Sequence, residues 1–219
     1  MREAVVFAGG DAPLPELARV LPAEALVIAA DSGLEHAVAL GRTADLVVGD
    51  FDSVDRATLD AAISAGAEVE IHPSEKDATD LDLALDACVA RNITRATVVG
   101  GHGGRLDHFA ANLLLLASPR FESLALDAWM GAARVIVVRD AAELQGAPGS
   151  LCTLLAPIGP ADGVTTDGLR YPLQDEVLSP GSTLGVSNVF ETPVATVSVG
   201  RGTVLVVQPA ALVDSEGES

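Results

Sequence analysis

Up to about residue 118 the chain repeats one pattern: a short apolar run, a break of glycine or aspartate, then apolar residues at helical spacing. The runs fall at residues 4–8, 25–30, 46–49, 69–72 and 96–99. Helices are expected around residues 16–20, 31–40, 55–65, 79–92 and 105–117, the last with residues 113–116 buried. Strands alternating with helices give a mostly parallel sheet covered by helices. Near residue 120 the pattern changes. Strands are expected at 123–127, 134–138, 151–156, 163–166, 184–190, 194–199 and 203–207, between glycine and proline turns and without a clear helix. The expected fold is therefore α/β. An N-terminal Rossmann-like, mostly parallel sheet with helices spans residues 1–122, and a smaller all-β sandwich domain spans 123–213. An acidic disordered tail follows at 214–219.

Composition narrows the function. The formal net charge is −18, which argues against a nucleic-acid or anionic-membrane surface. No apolar run is long enough to span a bilayer. The N-terminal stretch before the first strand is too short for a signal peptide, so a cytoplasmic protein is expected. Cys88 and Cys152 sit in separate apolar patterns and read as buried thiols rather than a disulfide or a metal site.

Four stretches carry candidate chemistry, each at the carboxyl end of an expected strand, where open α/β sheets bind ligands. In Gly49-Asp50-Phe51-Asp52-Ser53, two carboxylates two residues apart point the same way in extended backbone. They repel unless a cation lies between them, and hard oxygen ligands of this kind suit Mg²⁺. Asp31-Ser32-Gly33 opens a helix, whose free amides attract anions. Lys76-Asp77-Ala78-Thr79-Asp80 places the single lysine beside carboxylates, with Thr79 as N-cap and Asp80 in the first turn. Gly100-Gly101-His102-Gly103-Gly104-Arg105-Leu106-Asp107-His108 joins a glycine loop to an arginine that can grip phosphate, with Asp107 placed to orient Arg105 or bind a hydroxyl. Turn formation, helix capping or a surface ion pair accounts for each stretch alone. Their coincidence along one sheet edge is what needs a function.

Together these residues resemble the thiamine pyrophosphokinase family. The resemblance rests on Ala30-Asp31-Ser32-Gly33, Gly49-Asp50-Phe51-Asp52-Ser53, Lys76-Asp77-Ala78-Thr79-Asp80 and Gly104-Arg105-Leu106-Asp107-His108 with Asn112, in that order, over about residues 25–118. A weaker match covers Gly168-Leu169-Arg170-Tyr171-Pro172-Leu173 and Ser187-Asn188. The resemblance implies transfer of a pyrophosphoryl group from ATP to the hydroxyl of thiamine, giving thiamine diphosphate and AMP. It implies Mg²⁺ held by Asp50, Asp52 and Asp80 with Asp31 nearby. Arg105 and Asp107 would serve the nucleotide, together with Asp31, Ser32, Gly33, Lys76, Thr79, Gly103 and Gly104. Catalysis would rest on Asp50, Asp52, Asp80 and Arg105, and Ser187 and Asn188 would hold thiamine. A homodimer with active sites shared between chains is also implied. Ala44 stands where the family usually has proline, and the single tryptophan, Trp129, lies near the domain boundary.

Three other readings compete. Asp50-Phe51-Asp52 resembles the Asp-x-Asp of haloacid dehalogenase phosphatases, but there the motif ends the first strand. A pyrophosphokinase for another hydroxymethyl compound, such as a pterin, is opposed only by the β-half residues. A non-catalytic nucleotide or thiamine sensor is opposed by the intact Asp50, Asp52, Asp80 and Arg105.

Overall fold

The apolar runs become strands buried on both faces. In the computed structural model, which describes residues 2–75 and 77–214, the chain divides into two units. One is Met1–Leu115 with Ser123–Gly131, and the other is Leu116–Glu122 with Ala132–Ser219.

In the first unit the strands are β1 (Glu3–Phe7), β2 (Leu26–Ala30), β3 (Leu46–Gly49), β4 (Glu68–Ile71), β5 (Arg95–Val99) and β6 (Ala125–Met130). The helices between them are α1 (Leu17–Val20), α2 (Gly33–Ala39), α3 (Arg56–Ser64), α4 (Asp80–Ala90) and α5 (Leu106–Leu116). Val5, Val6, Phe7, Ile28, Val47, Val48, Val98 and Val99 are fully buried, as strands covered on both faces require. On α4, Leu81, Ala84, Leu85 and Cys88 are buried, the stripe that the helical spacing predicts. The strand order is β6-β5-β1-β2-β3-β4, and every pair is parallel. From β1 the chain steps outward to β4, then returns to the other side of β1 with β5. The order reverses between β1 and β5, and ligands of open parallel sheets bind at such a reversal, outside the carboxyl ends.

The second unit is β-rich. Its strands are β7 (Ala133–Val138), β8 (Ala141–Gln145), β9 (Leu151–Leu155), β10 (Ala161–Asp167), β11 (Glu176–Leu178), β12 (Asn188–Val189), β13 (Val194–Ser198) and β14 (Val204–Gln208), and a short helix α6 (Ala211–Asp214) follows. Strands run in the orders β12-β9-β14-β7 and β11-β10-β13-β8, with antiparallel pairing. Leu154 and Val206 from the first set share one core with Leu144, Val164, Val197 and Phe190, so two sheets face each other across a common apolar layer.

Several expectations are corrected. The strand expected at 123–127 to open the β half is β6, which pairs in parallel with β5 and so belongs to the first unit; the border at residue 122 moves with it. Of the strand expected at 184–190 only β12 forms, because Gly185 and Ser187 take left-handed backbone (φ 94° and 58°) and residues 184–187 turn. β8 and β11 went unforeseen, being alanine- and glutamate-rich or only three residues long. On α5, Leu116 is buried but Leu114 is 48% exposed. Asp214 closes α6. The rest of the expected tail, residues 215–219, lies outside the described residues, as does Lys76. Cys88 and Cys152 are buried free thiols, as expected.

Candidate active site

Three carboxylates meet at the carboxyl ends of β2 and β3. Oxygen atoms of Asp31, Asp50 and Asp52 lie within 4.8 Å of one another. Asp31 directly follows β2 in left-handed backbone (φ 47°), and its amide donates to the Val48 carbonyl of β3 at 2.9 Å. The convergence of Asp50 and Asp52 has a different cause from the one the sequence suggests. Phe51 between them is not extended but left-handed (φ 61°), so a turn brings the pair together. Within that turn the Asp52 amide donates to Asp50 Oδ1 at 3.2 Å, and the Ser53 hydroxyl donates to Asp52 Oδ1 at 2.8 Å.

Asp31 is the buried member, 8% exposed. Burial above all, then repulsion from Asp80 and Asp50, holds its carboxyl above the usual aspartate value of 3.8, against the pull of the Ser32 amide and the Ser53 hydroxyl. Asp31 Oδ1 has no hydrogen-bond partner among the described residues. A buried oxygen without a donor, on one of three clustered carboxylates, is a position that a divalent cation would fit. Hard carboxylate oxygens at this spacing fit Mg²⁺. Asp80 begins α4 and is near enough for its charge to act on Asp31. Thr79 caps that helix, its hydroxyl accepting from the Asp82 amide at 3.3 Å.

The glycine loops after β1 and β5 flank the point where the strand order reverses. The Gly101 amide donates to the Gly9 carbonyl and the Asp11 amide to the His102 carbonyl, both at 2.8 Å. The buried Asn112 side chain of α5 donates to the Gly101 carbonyl at 2.9 Å, which ties helix to loop. Gly33 is required by packing, because a Cβ there would lie 2.0 Å from the Phe7 carbonyl oxygen. At Gly103 the Asp11 carboxylate occupies the place a Cβ would take. The Ser32 hydroxyl rests against Gly9, so the helix opening after β2 meets the loop after β1.

Arg105 and Asp107 are exposed at the start of α5. Arg105 Nε donates to Asp107 Oδ1 at 3.2 Å and Nη2 to Oδ2 at 2.5 Å, a bidentate pair. That pairing pulls the Asp107 carboxyl down to about 2. Asp107 thus orients Arg105, one of the two roles the sequence left open, and Nη1 of the guanidinium takes no part in the pair.

The candidate residues of the second unit behave differently from one another. Ser187 is exposed, with its amide donating to Thr153 Oγ1 at 3.0 Å. Asn188 is 1% exposed and its carboxamide is engaged inside the unit. Oδ1 accepts from the Tyr171 amide at 3.0 Å and the Val189 amide at 2.9 Å, and Nδ2 donates to the Tyr171 carbonyl at 2.8 Å. Asn188 therefore pins the segment around Tyr171, which the Arg170 amide also ties to the Val189 carbonyl. One hydrogen of the carboxamide lies outside these bonds.

Sequence reasoning passed over Asp11 and Glu35. Asp11 carried a readable signal, following two glycines at a strand end. Glu35 looked like one more surface acid of a helix.

Known proteins of one family resemble this chain. A family model described as thiamin pyrophosphokinase, catalytic domain, matches residues 17–127, half of the chain. A second, described as thiamin pyrophosphokinase, vitamin B1 binding domain, matches residues 143–204. Thiamine pyrophosphokinase of Bacillus subtilis is 26% identical over 219 residues, covering 95% of this chain and 99% of that protein. Thiamine pyrophosphokinase 2 of Arabidopsis thaliana is 28% identical over 174 residues, covering 70% of this chain and 61% of that protein. The crystal structure of the B. subtilis enzyme superposes with a TM-score of 0.82 at 24% identity, covering 94% of this chain and 98% of the other. Thiamin pyrophosphokinase from Candida albicans shares the fold at 12% identity, with a TM-score of 0.77 over 94% and 89% of the two chains.

Proposed function

The chain belongs to the thiamine pyrophosphokinase family, and from that premise we propose that it transfers a pyrophosphoryl group from ATP to the hydroxyl of thiamine, giving thiamine diphosphate and AMP. The observation that carries this reading is the meeting of Asp31, Asp50 and Asp52 within 4.8 Å at the edge of a parallel sheet, in a unit whose glycine loops flank the strand-order reversal. Asp50-Phe51-Asp52 follows the third strand in chain order, which speaks against the phosphatase reading. Incubating the protein with ATP and Mg²⁺ and either thiamine or a hydroxymethylpterin tests the substrate. Consumption of thiamine alone is expected; turnover of the pterin alone overturns the reading.

In this proposal Asp31, Asp50, Asp52 and Asp80 hold Mg²⁺, a fit supported by the donor set and the partnerless Asp31 oxygen. An ion held there would supply positive charge to offset that of the phosphate oxygens. The chain's own residues supply position. Ser32, Gly33, Gly103 and Gly104, with Thr79, line the nucleotide, and the backbone comes close where side chains are absent. Arg105, held by Asp107, grips phosphate oxygens, so that the thiamine hydroxyl attacks the β-phosphorus in line with the departing AMP. Lys76 is proposed to add a second positive charge on the sequence motif alone.

Thiamine is proposed to lie against Ser187, with Asn188 fixing the neighbouring Tyr171 segment. The Rossmann-like description of the first unit belongs to the same reading and is supported by its parallel sheet with a reversing strand order. A homodimer with shared sites is proposed on the family resemblance alone. A cytoplasmic location is supported by the two free buried thiols. No helix among the described residues is long and apolar enough to cross a membrane.

A further inference from the structure

The loop that carries Asp50 and Asp52 is fastened at its far end by a side chain outside the family motifs. Glu35 lies in the first turn of α2, four residues after Asp31. Its Oε1 accepts the backbone N–H of Asp55 at 2.8 Å. Asp55 in turn is the N-cap of α3, its carboxylate accepting from the Thr58 amide at 2.9 Å and the Thr58 hydroxyl at 3.0 Å. The helix that begins beside Asp31 therefore holds the end of the segment that presents Asp50 and Asp52. The segment needs holding. Gly49 and Phe51 both take positive φ (153° and 61°), Asp31 does as well (47°), and three carboxylates are pressed together. Left-handed backbone at a non-glycine residue persists only where the surroundings over-determine it. Glu35 Oε2 is buried and has no hydrogen-bond partner among the described residues. Among the described residues the side chain's hydrogen bond is the one it accepts from the Asp55 amide.

We propose that Glu35 is a positioning residue for the metal site: by accepting the Asp55 N–H it sets the distance of Asp50 and Asp52 from Asp31, and so the affinity of the three-carboxylate cradle for a divalent cation. The inference rests on reading that cradle as the metal site. Partners that orient metal ligands cost about 10–100-fold in affinity when removed. The hydrogen bond, rather than the charge, is the working part, so glutamine should replace glutamate.

The test is a titration of the full chain with Mn²⁺, read from the free-ion electron paramagnetic resonance signal, on the natural protein, Glu35→Ala, Glu35→Gln and Asp50→Asn. Urea unfolding in EDTA checks that each variant is folded. Glu35→Met keeps the side-chain length without an acceptor and stands in if alanine opens a cavity that unfolds the chain. The expected result is Mn²⁺ binding at least about tenfold weaker in Glu35→Ala or Glu35→Met, and within a few-fold of the natural protein in Glu35→Gln. Glu35→Ala binding as tightly as the natural protein, or Glu35→Gln as weakly as alanine, overturns the positioning role. If Asp50→Asn binds Mn²⁺ unchanged, the metal site itself is wrong, which separates that failure from a failure at Glu35.

Discussion

Replacing Asn188 with alanine should weaken both the fold and the hold on thiamine. The truncation removes the acceptor of the Tyr171 and Val189 amides and the donor to the Tyr171 carbonyl, three bonds of 2.8–3.0 Å. An unsatisfied buried polar group costs about 1–3 kcal/mol. Tyr171 is 61% exposed, so water can reach part of what is freed, and a net loss of roughly 2–4 kcal/mol follows for three groups. For a chain of this size each kcal/mol lowers Tm by about 2–4 °C, so the melting temperature should drop by about 4–16 °C. With the Tyr171 segment released, the KM for thiamine should rise about ten- to a hundredfold while the KM for ATP stays nearly constant, the signature of lost substrate binding. Thermal melting by circular dichroism and initial rates over both substrates measure the two effects. A variant that melts with the natural protein and keeps its thiamine KM would refute the strut.

Three further outcomes are expected. Asp50→Asn and Asp52→Asn should lose turnover by orders of magnitude at saturating Mg²⁺ yet melt no lower than the natural protein, since one repelling carboxylate is gone; near-normal activity in both would remove the metal assignment. Asp31 has its folded pKa raised above the ordinary 3.8, so its contribution to stability is present below that value and lost as pH rises through the folded one; Asp31→Asn should remove that fall, seen by comparing urea unfolding across pH in EDTA, and identical profiles would contradict it. If sites are shared between chains, co-refolding Asp52→Asn with Asn188→Ala should restore up to about half of the natural activity per heterodimer, because one site then carries neither lesion; proven heterodimers without activity would exclude sharing.

What the sequence disclosed follows from which forces act locally. The parallel sheet was legible because its strands are buried on both faces, leaving continuous runs such as Leu46–Gly49. The acidic and glycine stretches were legible because strand ends and helix starts fix their place. The turn at Phe51 was not, since left-handed backbone at a phenylalanine is imposed by its surroundings. β6 was assigned to the β half because the residues between α5 and β6 carry no long helical signal, and its parallel pairing with β5 depends on partners distant in sequence. Asn188 looked like a reader of polar rings because a carboxamide suits that task equally well; its burial against Tyr171 is a tertiary fact. Glu35 was hidden for the same reason, since its partner Asp55 lies 20 residues away.

Transfer of an intact pyrophosphoryl group is visible in phosphorus-31 nuclear magnetic resonance of a mixture of protein, ATP, Mg²⁺ and thiamine. ATP signals should give way to the singlet of AMP and the coupled pair of thiamine diphosphate in equal amounts, and both should fail to appear with Asp52→Asn. The appearance of ADP with thiamine monophosphate, or of inorganic phosphate without a thiamine ester, would contradict it.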